Sequence, residues 1–357
     1  MPKPESEYKA APLPLVKRLM ARDIKMENLW DEFVIDCPEA SFFHRSGWQK
    51  IVSDVFHHTT YFLYAEVDGV IQGVLPLAHV KSWMFGQSLV SLPFAVYGGV
   101  ASRHMTATEA LELEAQRLAK RLGVAHLEFR NIKKSNSNWP VQDLYVTFRK
   151  PILPELSDNM NAIPRKQRAM VRKGMKNGLS SRLDHDVDTF FKLYSENVHR
   201  HGTPAMSKGY FTALRAEFGS DCEILTVIAP GGQALSSVLS FYFRDEILPY
   251  YAGDTEDSRH LAANDFKYWE LMRHACEKKV KVFDYGRSKV GTGSYFFKKN
   301  WGFEPQPLFY EYFLYKRKDI PSNNPSNVKF KWLIAAWRKI PIELANSLGP
   351  LIVRNLG

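Results

Sequence analysis

Cysteine is scarce in this chain: Cys37, Cys222 and Cys276 are the only three in 357 residues, far apart and without CxxC or Cys/His ligand spacing. A disulfide framework and a thiolate metal site are thereby excluded, and reduced core thiols of a cytoplasmic chain are expected. His57-His58 and His199-Arg-His201 do not give the i, i+4 pair of a helical metal site, so no metal is expected. There is no Gly-x-Ser-x-Gly, which removes the serine-hydrolase elbow. No apolar run is long enough to cross a bilayer, and residues 1–20, with their prolines and acids, read as a flexible N-terminus rather than a signal peptide. Acid is also short: 48 Lys and Arg face 38 Asp and Glu, a formal charge of +10. Such a surplus calls for an anionic partner, whether nucleic acid, a nucleotide-linked precursor, coenzyme A or a lipid headgroup.

The apolar fraction of 45% with 13% aromatics is ample for two sizeable cores. A weak internal duplication divides the chain. YFLYAEVDGVIQGVLPLAHV (61–80) reads as two strands joined at Asp68-Gly69, LVSLPFAVYGGV (89–100) as a third, then a helix with capping-box spacing from Thr106 to Glu109 and Gly123 at its end, then the strand AHLEFRN (125–131). CEILTVIAPGGQALSSVLSFYFRDEILPYYAG (222–253), a helix over NDFKYWELMRHACEKK (264–279) and the strand KVFDYGRS (281–288) repeat the plan. The polar, proline-bounded stretch 130–154 reads as the crossing between lobes. The fold class expected is α/β with mixed sheets: a first lobe over 21–150, a second, catalytic lobe over 151–320, and a C-terminal tail over 321–357.

The densest chemistry lies at 283–303. A buried strand delivers Asp284, Tyr285, Arg287 and Ser288 to its carboxyl end, where α/β sheets hold ligands. Gly291 and Gly293 free backbone N–H groups ahead of a short helix, and Arg287, Lys289, Lys298 and Lys299 surround it with positive charge, which suits phosphate or carboxylate.

FDYGRSK (283–289), GTGSYFFKKNWGFEP (291–305) and the HR-x-x-W at 44–48 resemble the FemAB-like proteins, acyltransferases built from two GNAT-like domains, and among them those associated with exosortase/PEP-CTERM systems. The resemblance covers about residues 42–315. It implies tandem GNAT-like lobes and transfer of an acyl or aminoacyl group to an amine of a cell-envelope or exopolysaccharide precursor. Lys298 stands where a GNAT enzyme carries its tyrosine acid/base, and is the expected catalytic residue with Asp284. The implied donor is aminoacyl-tRNA, or acyl-CoA as in BioF2-like relatives, with no permanently bound cofactor. The usual coenzyme A loop is replaced by Arg259-His-Leu-Ala-Ala-Asn264, where Ala262 places a methyl group at a glycine position; this favours aminoacyl-tRNA. The acceptor is expected to be an anionic, nucleotide- or lipid-linked glycan precursor, and DNA is not an expected partner. A non-catalytic module holding an anionic glycan or RNA is the competing class.

The acid-free helix Ile163–Leu179 (IPRKQRAMVRKGMKNGL) places Arg165, Arg168, Arg172 and Lys176 on one face. By spacing alone it is a solvated basic face; by resemblance it borders the cleft, with Arg168, Arg172 and Lys173 binding an anion. Arg45 and Trp48 read as a helix start and core residue, or by resemblance as cleft residues. Tyr251 and Asp254, at the end of the strand beside that of Asp284, are candidates for the acceptor pocket, with Tyr250 in the core. Gly291, Gly293 and Lys299 complete the expected donor-phosphate site. In the tail, Leu333, Trp337, Ile340, Leu344, Leu348 and Ile352 recur at helical spacing beside Arg338 and Lys339, which fits either an interfacial helix on the cytoplasmic face of the inner membrane or short helices packed on the body.

Overall fold

The computed structural model describes residues 13–82, 86–135, 138–321 and 328–355. The chain begins with β1 (Leu15–Arg18), α1 (Ile24–Asp36), α2 (Gly47–Lys50), β2 (Thr59–Val67) and β3 (Val70–Ser82), followed by β4 (Gly86–Val90), β5 (Ala101–Ser102), α3 (Met105–Leu122) and β6 (His126–Asn131). β1 pairs with β2, so the segment expected to be a flexible end is a sheet strand from Leu15. The expected third strand stops at Val90; Leu92 and Phe94 then take left-handed φ values of 61° and 65°, which β-sheet pairing does not admit. His104 rather than Thr106 caps α3, while Gly123 closes it at φ 65°.

The chain next forms β7 (Val141–Gln142) and β8 (Tyr145–Pro151), then α4 (Leu156–Ala162), α5 (Arg165–Lys176), β9 (Ser180–Asp184), α6 (Asp188–Arg200) and α7 (Lys208–Phe218). β10 (Cys222–Ile228), β11 (Ala234–Phe243) and β12 (Glu246–Asp254) precede α8 (Ser258–Leu261), α9 (Ala263–Glu277), β13 (Val282–Asp284), β14 (Ser288–Lys289), α10 (Gly293–Asn300), β15 (Pro305–Pro307) and β16 (Phe309–Leu314), with α11 (Val328–Trp337) and α12 (Ile342–Val353) last. One sheet runs β1-β2-β3-β4-β6-β16-β7, with β5 on β3; the other runs β14-β8-β13-β12-β11-β10-β9, with β15 on β8.

Each sheet turns on one parallel pair, β4/β6 and β12/β13, joined by the crossover helices α3 and α9. β12 and β13 are in register only at Glu246↔Val282 and Ile247↔Phe283. Beyond that they diverge, and the pairing of β11 with β12 slips at Tyr250, a bulge that bends the strand. Tyr250 and Tyr251 on β12, and Asp284 and Arg287 at and after the end of β13, lie beyond the paired positions.

The lobes also exchange strands. β8 completes the second sheet beside β13, and β16 returns to the first sheet beside β6. The expected boundary between residues 150 and 151 therefore falls inside β8, and the second half ends in the first sheet. One hydrophobic core runs across the seam, with Trp30, Phe42, Phe43 and Trp48 from the first half against Phe211, Phe218 and Phe241 from the second. Separate cores lie under α9 and under α3.

Candidate active site

Lys298 sits on α10 with its side chain turned back into the protein. It is only 8% exposed, and its Nζ donates to the carbonyls of Gly286 at 2.9 Å and Arg287 at 3.2 Å. Burial pushes the amine down to about 7; Asp284 opposes this and the neighbouring Arg287 adds to it. A tetrahedral nitrogen that gives two N–H groups to carbonyls keeps one position for chemistry. Near pH 7 that position is either a proton or a lone pair.

The turn that holds Lys298 is fixed by Asp284, 1% exposed. Its carboxylate accepts from the Tyr97 hydroxyl at 3.0 and 2.8 Å, from Thr147 Oγ1 at 3.1 Å, from Arg149 Nη1 at 2.8 Å and from the backbone N–H of Gly286 at 2.8 Å. Asp284 is thus not a free proton acceptor, a correction to its expected catalytic role. Its charge is met by Arg149 on β8, which also donates to Glu246, and not by Arg287. Tyr97, Thr147 and Arg149 went unrecognised in the sequence because they reach Asp284 only through the loop after β4 and the exchanged strand β8. The one local signal was an arginine two residues before a proline, FRKP (148–151), which is too common to single out.

Arg287 is half-buried. Its guanidinium lies 4.5 Å from the Tyr145 ring centroid and donates to the Tyr310 hydroxyl at 3.0 Å, which itself donates to the Val96 carbonyl at 2.8 Å. Arg287 has no carboxylate partner among the described residues. Next to it the Ser288 hydroxyl is buried without a hydrogen-bond partner among the described residues. An unspent cation and an unmet hydroxyl therefore sit on the consecutive residues Arg287 and Ser288, and an amine near neutrality on the helix that follows. Leaving such a hydroxyl unmet costs about 1–3 kcal/mol, which a bound polar group offsets.

The other expected residues separate. Gly291 and Gly293 are exposed at the start of α10, Gly291 at φ 78°, but Lys299 is in the last turn, about 9 Å further along the axis at 1.5 Å per residue. Its Nζ reaches back to 5.8 Å from the Tyr295 ring centroid in the first turn. Tyr285 packs among Tyr268, Phe283 and Phe303 in the second-lobe core, with its ring centroid 5.8 Å from Lys298 Nζ, so it serves as a wall behind the lysine. Tyr251 bonds Tyr210 through its hydroxyl at 3.0 Å inside an aromatic cluster with Tyr194 and Phe211. Asp254 is taken by Lys267, fully buried, at 2.9 Å and by Ser236. Trp48 is fully buried, its Nε1 on the Phe42 carbonyl, and Arg45 pairs with Asp221 at 2.7 Å across the seam. These residues were expected at the cleft; Arg45 and Trp48 are instead held on the seam between the halves, and Tyr251, Asp254 and Tyr285 are held by partners within the second half. His44 is likewise structural: burial drives it down to about 4, so it stays neutral.

On α5, Gln167, Val171 and Gly174 face inward, and a Cβ at Gly174 would come within 2.8 Å of Phe266, so only glycine admits this approach to α9. Arg165, Lys166, Arg172, Lys173 and Lys176 are left exposed, and neither they nor Arg168 make an ion pair among the described residues. Arg168 bonds Asn161 instead. At the altered coenzyme A loop, Ala262 takes the left-handed conformation at φ 59° that glycine favours. The first turn of α9 is occupied by Asp265, a nearly buried acid bonded to Trp301 Nε1 at 3.0 Å, where an incoming phosphate would meet like charge.

A cleft of about 700 Å³ opens on the far side of the Asp284 network. It is lined by Glu39, Tyr97, Glu112, Lys133, Arg149 and Glu246, with Lys298 outside its lining.

Residues 165–299 match the acetyltransferase (GNAT) domain family. Over 136 residues, 37% of this chain, the sequence is 23% identical to the UDP-N-acetylmuramoylpentapeptide-lysine N(6)-alanyltransferase of Weissella viridescens, and the match spans 40% of that protein. The crystal structure of FemX superposes with a TM-score of 0.63 at 14% identity, covering 85% of this chain and 98% of that one. A tandem GNAT protein from the clavulanic acid biosynthesis pathway gives 0.52 at 12% identity, covering 86% and 100%. The chain accordingly has the tandem GNAT-like, FemAB-like fold, its acyltransferase domain match lying over residues 165–299 that contain α5, Asp284 and Lys298.

Proposed function

We propose that this protein is a Fem-like aminoacyltransferase, moving an aminoacyl group from an ester donor to an amine on an anionic, nucleotide- or lipid-linked envelope or exopolysaccharide precursor. The observation that carries this reading is Lys298, buried, held by two carbonyls and brought down to about 7 beside the unpaired Arg287. The acceptor amine attacks the ester carbonyl; the C–N bond forms and the C–O bond to the ribose breaks. Lys298, as the neutral amine, takes the proton the nucleophile must lose and returns it to the leaving ribose oxygen. Arg287 and the Ser288 hydroxyl face the negative charge that develops on the carbonyl oxygen. Arg172 and Lys173 on α5 suit the phosphates of the donor, an aminoacyl-tRNA.

Lys298→Ala is expected to lower kcat by roughly 10²–10⁴ with the fold intact. Lys298→Arg separates base from fixed cation: it keeps the charge but cannot lose it, so transfer should stay lost. Activity in Lys298→Arg would remove the proton-transfer role. In the wild type kcat/KM should rise with pH through about 7 as the lysine deprotonates.

A coenzyme A donor is the second reading, favoured by the left-handed Ala262 that keeps a glycine-type turn before α9. Calorimetry with acyl-CoA and with aminoacyl-tRNA decides between the two; Asp265 in the first turn of α9 predicts weak binding of the former.

A further inference from the structure

We propose that α12 docks this protein onto an anionic bilayer surface. The helix is held to the body along one side. Ala345 and Val353 are buried, and Gly349 lies so close to Ala205 that a Cβ would sit 2.8 Å from its carbonyl. Asn346 Nδ2 donates to Ser195 Oγ at 3.4 Å, and His58 Nε2 meets the Arg354 carbonyl at 2.8 Å. A helix so fixed to a water-facing surface should show polar residues outward. Instead Leu344, Leu348, Leu351 and Ile352 are 37–56% exposed. At 3.6 residues per turn they share an arc of roughly 100° beside the docked side, and Glu343, Ser347 and Arg354 occupy the remaining one.

Charge selects the occupant. Residues 328–357 contain Lys329, Lys331, Arg338, Lys339 and Arg354 against a single acid, Glu343; Arg338 and Lys339, just ahead of α12, and Arg354, at its end, are exposed. Two copies meeting through this face would bring like charges together, whereas anionic headgroups attract them while leucines enter the acyl boundary. Twelve residues interrupted by Pro350 lie on a bilayer and do not cross it. Among the described residues no helix is long and apolar enough to span.

Flotation of the full-length protein with phosphatidylcholine vesicles, with and without phosphatidylglycerol, tests this. Co-flotation only with the anionic vesicles is expected, falling with added salt. Leu344→Gln/Leu348→Gln/Leu351→Gln should cut the bound fraction at least about tenfold while circular dichroism stays unchanged. Arg338→Gln/Lys339→Gln should weaken binding and its salt dependence. Failure of the wild type to float, equal flotation on neutral vesicles, or full binding by the leucine variant overturns the proposal. So does light scattering that shows a dimer which the leucine variant dissociates, for then the occupant is a second copy. The inference is independent of the acyl-transfer reading: Lys298→Ala should float as the wild type does, whatever its turnover.

Discussion

Lys298 carries a thermodynamic signature apart from turnover. Its amine is about 7 in the fold and ordinarily 10.5, so the folded protein pays for charging it at low pH. The sign follows: between about 7 and 10.5 the unfolded chain binds a proton the folded one does not, and stability rises with pH across that window. Lys298→Met, which removes the charge and leaves two carbonyls unmet, should therefore be the more stable protein at pH 6, by about 1–2 kcal/mol after the lost hydrogen bonds are subtracted. That gain should shrink toward pH 10, and urea titrations at the two pH values read it. Tyr97 acts through Asp284 rather than on substrate. Tyr97→Phe deletes the hydroxyl donated to the carboxylate and should cost about 1–3 kcal/mol of stability. It should also lower kcat with little change in KM and move the apparent pKa near 7, a shift that a merely structural tyrosine does not produce.

At the scale of elements, α5 divides into a side closed by Gly174 on α9 and a side of unpaired cations. Arg172→Glu/Lys173→Glu touches only the outer side, so fold and kcat should hold while KM for an aminoacyl-tRNA donor rises at least about tenfold at low salt; the difference should fade as salt is added. An unchanged KM would leave α5 as a solvated face. α10 is a second divided element: Gly291 and Gly293 mark its open start, whereas Lys298 turns inward near its end.

The whole molecule behaves as one unit because each sheet is completed by a strand from beyond the expected boundary, β8 in one and β16 in the other. Arg45–Asp221 and the shared aromatic core add to that tie. Calorimetry should show a single transition rather than one per lobe. Trp48→Ala, which empties the seam between Phe42, Phe43, Phe218 and Phe241, should lower the stability of the entire chain by about 3–5 kcal/mol. Two separate melts, only one of them shifted, would contradict this coupling.

The duplication, the motif at 283–303 and the amphipathic tail were legible in the sequence because local pattern carries them: alternation for strands, glycines for turns, helical spacing for faces. The place of Lys298 on a short helix after the glycine turn belonged to that legible part, since helix and turn lie within a few residues of each other. The roles of Asp284, Tyr251, Asp254, Tyr285, Arg45 and Trp48 were decided by tertiary structure alone. Each is polar or aromatic on a strand or helix end, and such a residue is a cleft residue or a core residue according to what lands on it. Strand exchange, which sets β8 with Thr147 and Arg149 beside β13 and lays the first half against α7 and β11, is a long-range pairing that no local pattern encodes.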